Sequence, residues 1–159
     1  MLVYRITRVQ FANDLSGEGV RLYGSRWIPA GIPALYAAQN RELAVLEFYA
    51  HLPREFAPGR LKLITIDIPA TIKPFVVSLS ALPEYWDKSP VPPEVQSIGA
   101  DLFKAGKMVI QVPSTLVPHE FNFVINTAHT STKNITIIKT EDFSYDERLV
   151  TPSLKGTAK

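Results

Sequence analysis

The stretch Gly24–Leu52, "GSRWIPAGIPALYAAQNRELAVLEFYAHL", sets an arginine, a tyrosine and a glutamate among glycine, proline and otherwise apolar residues. Within it "PALYAA" has the composition of a short strand ending near Tyr36. Asn40 is placed to cap a helix running to about Leu52, because an asparagine side chain satisfies the free amides of a first helical turn. That helix is apolar nearly all round, through Leu43, Ala44, Val45, Leu46, Phe48, Tyr49 and Ala50, so it is expected inside the domain. Glu47 lies one turn after Leu43 and one turn before His51. Taken singly, Arg26 reads as a surface arginine after a turn, Tyr36 as a strand aromatic and Glu47 as a solvated carboxylate. Together they stand in the most apolar, glycine- and proline-shaped part of the chain, where charged groups are rarely buried without partners. A ligand pocket reconciles them.

Outward from this stretch, "LVYRI" (Leu2–Ile6) reads as a first strand that carries Arg5 among β-formers, and the region of Gly17, Gly19 and Gly24 as a loop. "LKLITIDI" (Leu61–Ile68) alternates like a half-buried strand. Pro83, Pro90, Pro92 and Pro93 break up the middle of the chain, and a helix follows to Gly106 with Val95, Ile98, Leu102 and Phe103 as its apolar stripe. "KMVIQV" gives another strand, Pro113 and Ser114 begin a loop, and "ITIIK" (Ile135–Lys139) gives a late strand. Several strands with two good helices predict an α+β fold with a mixed or antiparallel sheet. At 159 residues one hydrophobic core is expected, in a domain over 1–150, with 151–159 as a solvated tail holding Lys155 and Lys159.

Composition narrows the chemistry. The chain is 46% hydrophobic and 20% charged, an ordinary globular balance, and no stretch approaches the roughly 20 apolar residues of a membrane span. "MLVYRITRV" lacks the pattern of a secretory signal, so a cytoplasmic location is expected. A net charge of +2 gives no electrostatic footprint for direct nucleic-acid binding. With no cysteine, disulfides, thiolate catalysis and cysteine-ligated metal centres are excluded. His51, His119 and His129 lack metal-ligand spacing, so no metal is expected. Gly17-Glu18-Gly19 has neither the spacing nor the strand–helix context of a dinucleotide fingerprint, and no phosphate-loop lysine motif occurs. Ser114 in "VPSTL" has no nucleophile elbow around it; it reads as structural or as a ligand-binding hydroxyl.

In order along the chain, "YRI" with Arg5, "SGEG" at Ser16–Gly19, "GSRW" around Arg26, "ALYAA" around Tyr36 and "ELAVLEFYAHL" around Glu47 resemble the RES-domain family of bacterial toxins. "VPSTLVPHEFNFVIN", with Ser114, Asn122 and Asn126, and "FSYDERL", Phe143–Leu149, continue the resemblance over nearly the whole chain. Three positions depart from the family pattern: Ser25 replaces a usual glycine, Ile28 an asparagine and Thr127 a proline.

The resemblance implies a fold related to the ADP-ribosyltransferases and a toxin that arrests growth by destroying NAD, held in check by an Xre-type helix-turn-helix antitoxin in a hetero-oligomer. NAD is then a substrate rather than a cofactor, with water or inorganic phosphate as acceptor. Transfer of ADP-ribose to a protein is the alternative activity, and a non-catalytic module that binds NAD or the antitoxin is the alternative class. By similarity, Glu47 would hydrogen-bond a ribose hydroxyl and stabilise positive charge at the anomeric carbon. Arg26 and Arg5 would hold the pyrophosphate, since a guanidinium offers a planar fork of donors and keeps its charge when partly buried. Tyr36 would stack on the nicotinamide with its hydroxyl free to orient a polar group, and Ser114 and Asn122 would complete the NAD site.

Overall fold

The computed structural model describes residues 1–52 and 59–150, and the expected tail at 151–159 lies outside them. Apolar alternation produces one mixed seven-stranded sheet. Its strands are β1 (Leu2–Arg8), β2 (Ala34–Ala38), β3 (Leu61–Asp67), β4 (Phe75–Val76), β5 (Val109–Pro113), β6 (Phe121–Asn126) and β7 (Thr136–Phe143). They lie in the order β4-β5-β6-β2-β1-β3-β7, antiparallel throughout except for the β4–β5 edge. Among the described residues four α-helices accompany them: α1 (Glu18–Tyr23), α2 (Arg41–Ala50), α3 (Pro93–Lys104) and α4 (Glu147–Val150). The expected α+β class with a mixed sheet is what the chain adopts.

Alternation splits the apolar residues between the two faces of the sheet. Ile110 and Val112 of β5 and Val124 of β6 pack with Val95 and Phe103 of α3. Val109, Phe123 and Ile125 turn to the opposite face and join Val3, Ile64 and Ile66. A third cluster places Leu43 and Ala44 of α2 against Ile6, Ala38, Leu61 and Leu63. Gly99 of α3 allows the helix to press directly on the chain at Trp27: a Cβ there would stand 1.9 Å from the Trp27 carbonyl oxygen.

The chain departs from the sequence reading in several places, β4 and α4 among them. The glycine-rich region is not all loop: α1 occupies Glu18–Tyr23, started by Gly17 at φ +75°, where an added Cβ would meet the Ala34 backbone nitrogen at 2.6 Å. Strand β6 lies in a stretch where the sequence predicts no strand or helix. The helix expected wholly inside has only Leu43 and Ala44 buried, while Leu46 and Tyr49 are 44% and 42% exposed. Its buried face packs on β1 and β2 and the opposite face meets water, so α2 is a surface helix with an apolar exterior.

Candidate active site

β1 and β2 are neighbours in the middle of the sheet, yet they share a single paired position, Tyr4 opposite Ala38. By contrast β2 pairs with β6 along five positions and β1 with β3 along seven. A cavity of about 810 Å³ occupies the gap, walled by Arg5 and Ile6 of β1, Tyr36 and Ala37 of β2, and Glu47 and Phe48 of α2. That size is within the roughly 300–1,000 Å³ of pockets that enclose small organic ligands.

Glu47 reaches the cavity because Asn40 fixes the start of α2: the Asn40 side chain accepts from the Leu43 amide at 2.7 Å. The other end of the Asn40 amide donates to Glu120 Oε2, which also accepts from Gln39 Nε2 at 2.6 Å. Gln39 Oε1 in turn accepts from the Phe121 amide at 3.1 Å, so this network ties the entry of α2 to the start of β6. At the cavity, Glu47 Oε1 accepts from Ser114 Oγ at 3.0 Å and from Asn122 Nδ2. Among the described residues nothing donates to Oε2. One oxygen is held by the protein and the other is available to a ligand.

Ser114 is buried, and its hydroxyl is fully engaged: it donates to Glu47 and accepts from the Leu116 and Val117 amides at 3.0 and 3.3 Å. Ser114 therefore contributes by holding the carboxylate, and its neighbours Pro113 and Thr115 form the wall at that point. Asn122 both lines the cavity and donates to Glu47.

Tyr36 presents its ring to the cavity, but its hydroxyl is not free. It accepts from the Trp27 amide at 3.2 Å and lies 2.6 Å from Ser25 Oγ. Ser25 Oγ accepts from the Ile28 amide at 3.1 Å and donates to the Ile28 carbonyl at 3.2 Å, so the phenol donates to the serine. Burial pushes the Tyr36 hydroxyl above the ordinary tyrosine range, against the opposing pull of its bonds to Ser25 and Trp27. The phenol is thus a neutral anchor for the turn carrying Arg26. Ser25, where the family pattern has glycine, supplies this contact.

The two arginines differ. Arg26 spends Nη1 on the carbonyls of Trp86 and Lys88, at 2.7 and 3.0 Å, which together with the Trp27–Trp86 ring contact at 5.9 Å fastens the 86–88 segment to the rim. Arg5 donates through Nη1 to the Asp14 carbonyl at 3.1 Å. Burial lowers its pKa and the Asp14 carboxylate raises it; a guanidinium keeps its charge in any protein setting. Arg5 thus brings a desolvated cation with further donors to the cavity wall.

The structure brings Arg5, Arg26, Tyr36, Glu47 and Asn122 to one cavity, with Ser114 directly behind the carboxylate. Asn126 and His129 stand away from it. Asn126 Oδ1 accepts from the Ala128 amide and His129 Nδ1 from the Ser131 amide, closing the turn after β6. Tyr4 and Phe48 also line the cavity, and so does His51, which the sequence marks only as a histidine without metal-ligand spacing; strand or helix position alone does not distinguish a wall residue from a core one.

The RES domain family model matches residues 2–146. The chain is 36% identical over 154 residues to Toxin Res of Photorhabdus laumondii, an alignment covering 94% of this chain and 97% of the relative. It is 34% identical over 146 residues to the Prs ADP-ribosylating toxin of Sphingobium sp., covering 90% of this chain and 91% of that protein. Among solved structures it is similar to a chain of the M. tuberculosis MbcT–MbcA toxin–antitoxin complex, with a TM-score of 0.75 over 90% of this chain and 84% of that one. Sequence identity there is 20%, so this likeness speaks to the fold alone. With a family match across most of its length and relatives aligned over almost their full extent, the chain belongs to the RES-domain family.

Proposed function

We propose that the protein is the toxin of a toxin–antitoxin pair and that it cleaves the bond between nicotinamide and ribose in NAD. The observation that carries this reading is the state of Glu47, one oxygen fixed by Ser114 and Asn122 and the other facing an apolar cavity that also holds two guanidinium groups. The names of its relatives, Toxin Res and Prs ADP-ribosylating toxin, point in the same direction.

Breaking the N-glycosidic bond expels neutral nicotinamide from a cationic ring and leaves oxocarbenium character on the ribose. A carboxylate that is already oriented favours that charge without reorganising at the moment of reaction. In this reading Glu47 Oε2 takes a ribose hydroxyl, and Arg5 meets the pyrophosphate together with whichever donors of Arg26 are not spent on Trp86 and Lys88. The Tyr36 ring packs on the nicotinamide. Water or inorganic phosphate then adds at the anomeric carbon. A protein nucleophile is the second reading, favoured by the name of the Sphingobium relative, Prs ADP-ribosylating toxin.

Incubating the purified chain with NAD, with and without phosphate, and identifying the products by mass spectrometry tests these branches. ADP-ribose in both tubes indicates hydrolysis, and a phosphorylated ADP-ribose that appears only with phosphate indicates phosphorolysis. ADP-ribose attached to added cell protein, with little free product, favours transfer. The partner in this reading is an Xre-type helix-turn-helix antitoxin covering the cavity mouth in the cytoplasm. Adding it should suppress NAD turnover; undiminished turnover in the bound complex would contradict that arrangement.

A further inference from the structure

We infer that the C-terminal stretch "FSYDERL", Phe143–Leu149, is a clamp that positions Glu47 from behind. The inference rests on the reading of Glu47 as the reacting carboxylate. Two hydroxyl-to-carbonyl bonds are exchanged between this stretch and α2: Tyr145 Oη donates to the Val45 carbonyl and Tyr49 Oη donates to the Leu149 carbonyl, each at 2.6 Å. Val45 precedes Glu47 by two positions and Tyr49 follows it by two, so the pair brackets the carboxylate on its own helix.

The rings repeat the arrangement. Tyr145 is 9% exposed and meets Phe143 edge-on at 5.1 Å, Tyr49 at 5.6 Å, and Phe48 in a stacked pair at 6.5 Å. Phe48, next to Glu47, is also a wall of the cavity. The C-terminal aromatic cluster is therefore one side chain removed from the cavity.

A ten-residue helix has little stability of its own, and the exposed face of α2 receives no support from the sheet. Asn40 fixes its start, whereas the turn that carries Glu47 is steadied by Tyr145 and Tyr49. Ser114 and Asn122 hold the carboxylate from the front, and the clamp sets the backbone from which it projects. A misplacement of about 1 Å at a reacting group can lower a rate by roughly 10²-fold, which makes this support part of the site's precision. Tyr145 and Tyr49 act here as positioning residues.

The test compares wild type, Tyr145→Phe and Tyr145→Leu in the full chain. It reads steady-state nicotinamide release from NAD and the ¹³C NMR resonance of the Glu47 carboxyl, assigned by its loss in Glu47→Gln. Tyr145→Phe keeps the ring and removes only the donated bond. It should lower kcat roughly 3- to 10-fold with KM unchanged and should shift or broaden the Glu47 signal; Tyr145→Leu should do both more strongly. An unmoved Glu47 resonance in the variants overturns the clamp even if they melt earlier, and so does an unchanged kcat when the wild type is active. Should wild type leave NAD intact, the NAD reading fails, and the resonance alone then decides the clamp.

Discussion

Ser114 and Glu47, separated by 67 positions in the chain, are joined by a 3.0 Å hydrogen bond in which the buried serine donates to the carboxylate. Because Ser114 Oγ also accepts two backbone amides, its single proton has one destination, and the rotamer of Glu47 follows from the loop geometry after β5. Ser114→Ala should therefore damage both the loop and the site. Two part-buried amides lose their acceptor, costing about 0.5–1.5 kcal/mol of stability each. NAD turnover should fall by roughly 10-fold, less than on altering Glu47 itself, because Asn122 still donates. Thermal unfolding beside initial rates checks both parts.

Asn40→Ala removes the helix cap and the contact with Glu120. Loss of such a cap costs about 0.5–2 kcal/mol, which in a chain of this size lowers Tm by roughly 1–8 °C. Differential scanning calorimetry measures it. A wild-type Tm would mean that α2 does not depend on this cap.

Gly99→Ala adds a methyl group where the Trp27 carbonyl already stands 1.9 Å away and Ile28 Cδ1 lies at 3.0 Å. Neither helix nor turn can accept it in place. The substitution should cost about 1–3 kcal/mol or more, and should weaken NAD binding by disturbing the turn that carries Arg26. Denaturant titration and KM are the corresponding readouts.

Burial pushes the Tyr145 hydroxyl up to about 12 from its ordinary 10.0. The protonated phenol is the form favoured by the fold, so its contribution is complete below about pH 10 and is lost as pH rises towards 12. Tyr36, raised from the same ordinary value by burial, acts in the same direction. The urea midpoint should therefore fall with pH above about 10, and the fall should be shallower in Tyr145→Phe. An equal slope in both proteins would remove Tyr145 from the account.

Much of this architecture was legible because the local patterns agree with the fold. "LKLITIDI" forms β3, although Leu63, Ile64, Thr65 and Ile66 are all buried, so the strand is covered on both faces rather than half-buried; Asn40 begins α2, and Val95 and Phe103 of the predicted stripe are buried on α3. Strand β7 runs on to Phe143 past the expected end at Lys139, since an edge strand with one solvated side tolerates Thr140, Glu141 and Asp142. Strand β6 is hidden because Pro113, Ser114 and Pro118 announce a loop, and two of its six residues, Asn122 and Asn126, are of a type depleted in strands. Helix α1 has six residues, too few for a period to emerge between Gly17 and Gly24.

At the site, residue types were readable and their connections were not. Arg5, Arg26, Tyr36, Glu47, Ser114 and Asn122 all stand in recognisable motif words, but which hydroxyl donates to which oxygen is set by the tertiary fold. Tyr36 was expected to offer a free hydroxyl; Ser25 and the Trp27 amide occupy it instead. Arg26 was expected to face a pyrophosphate, and part of its guanidinium binds the Trp86 and Lys88 carbonyls. The Arg26 and Ser114 contacts span 60 or more positions, and even those of Tyr36, over 11 and 9, join a strand to a turn that no local pattern pairs with it.

The central claim is that Glu47 is the group that makes NAD react, and nicotinamide release by purified wild type beside Glu47→Gln tests it most directly. The amide preserves shape and much of the hydrogen bonding while removing the charge, so the account predicts release by wild type and a loss of about 10²–10³-fold in the variant at an unchanged fold. Release undiminished in Glu47→Gln, or absent from wild type under every acceptor condition, would contradict it.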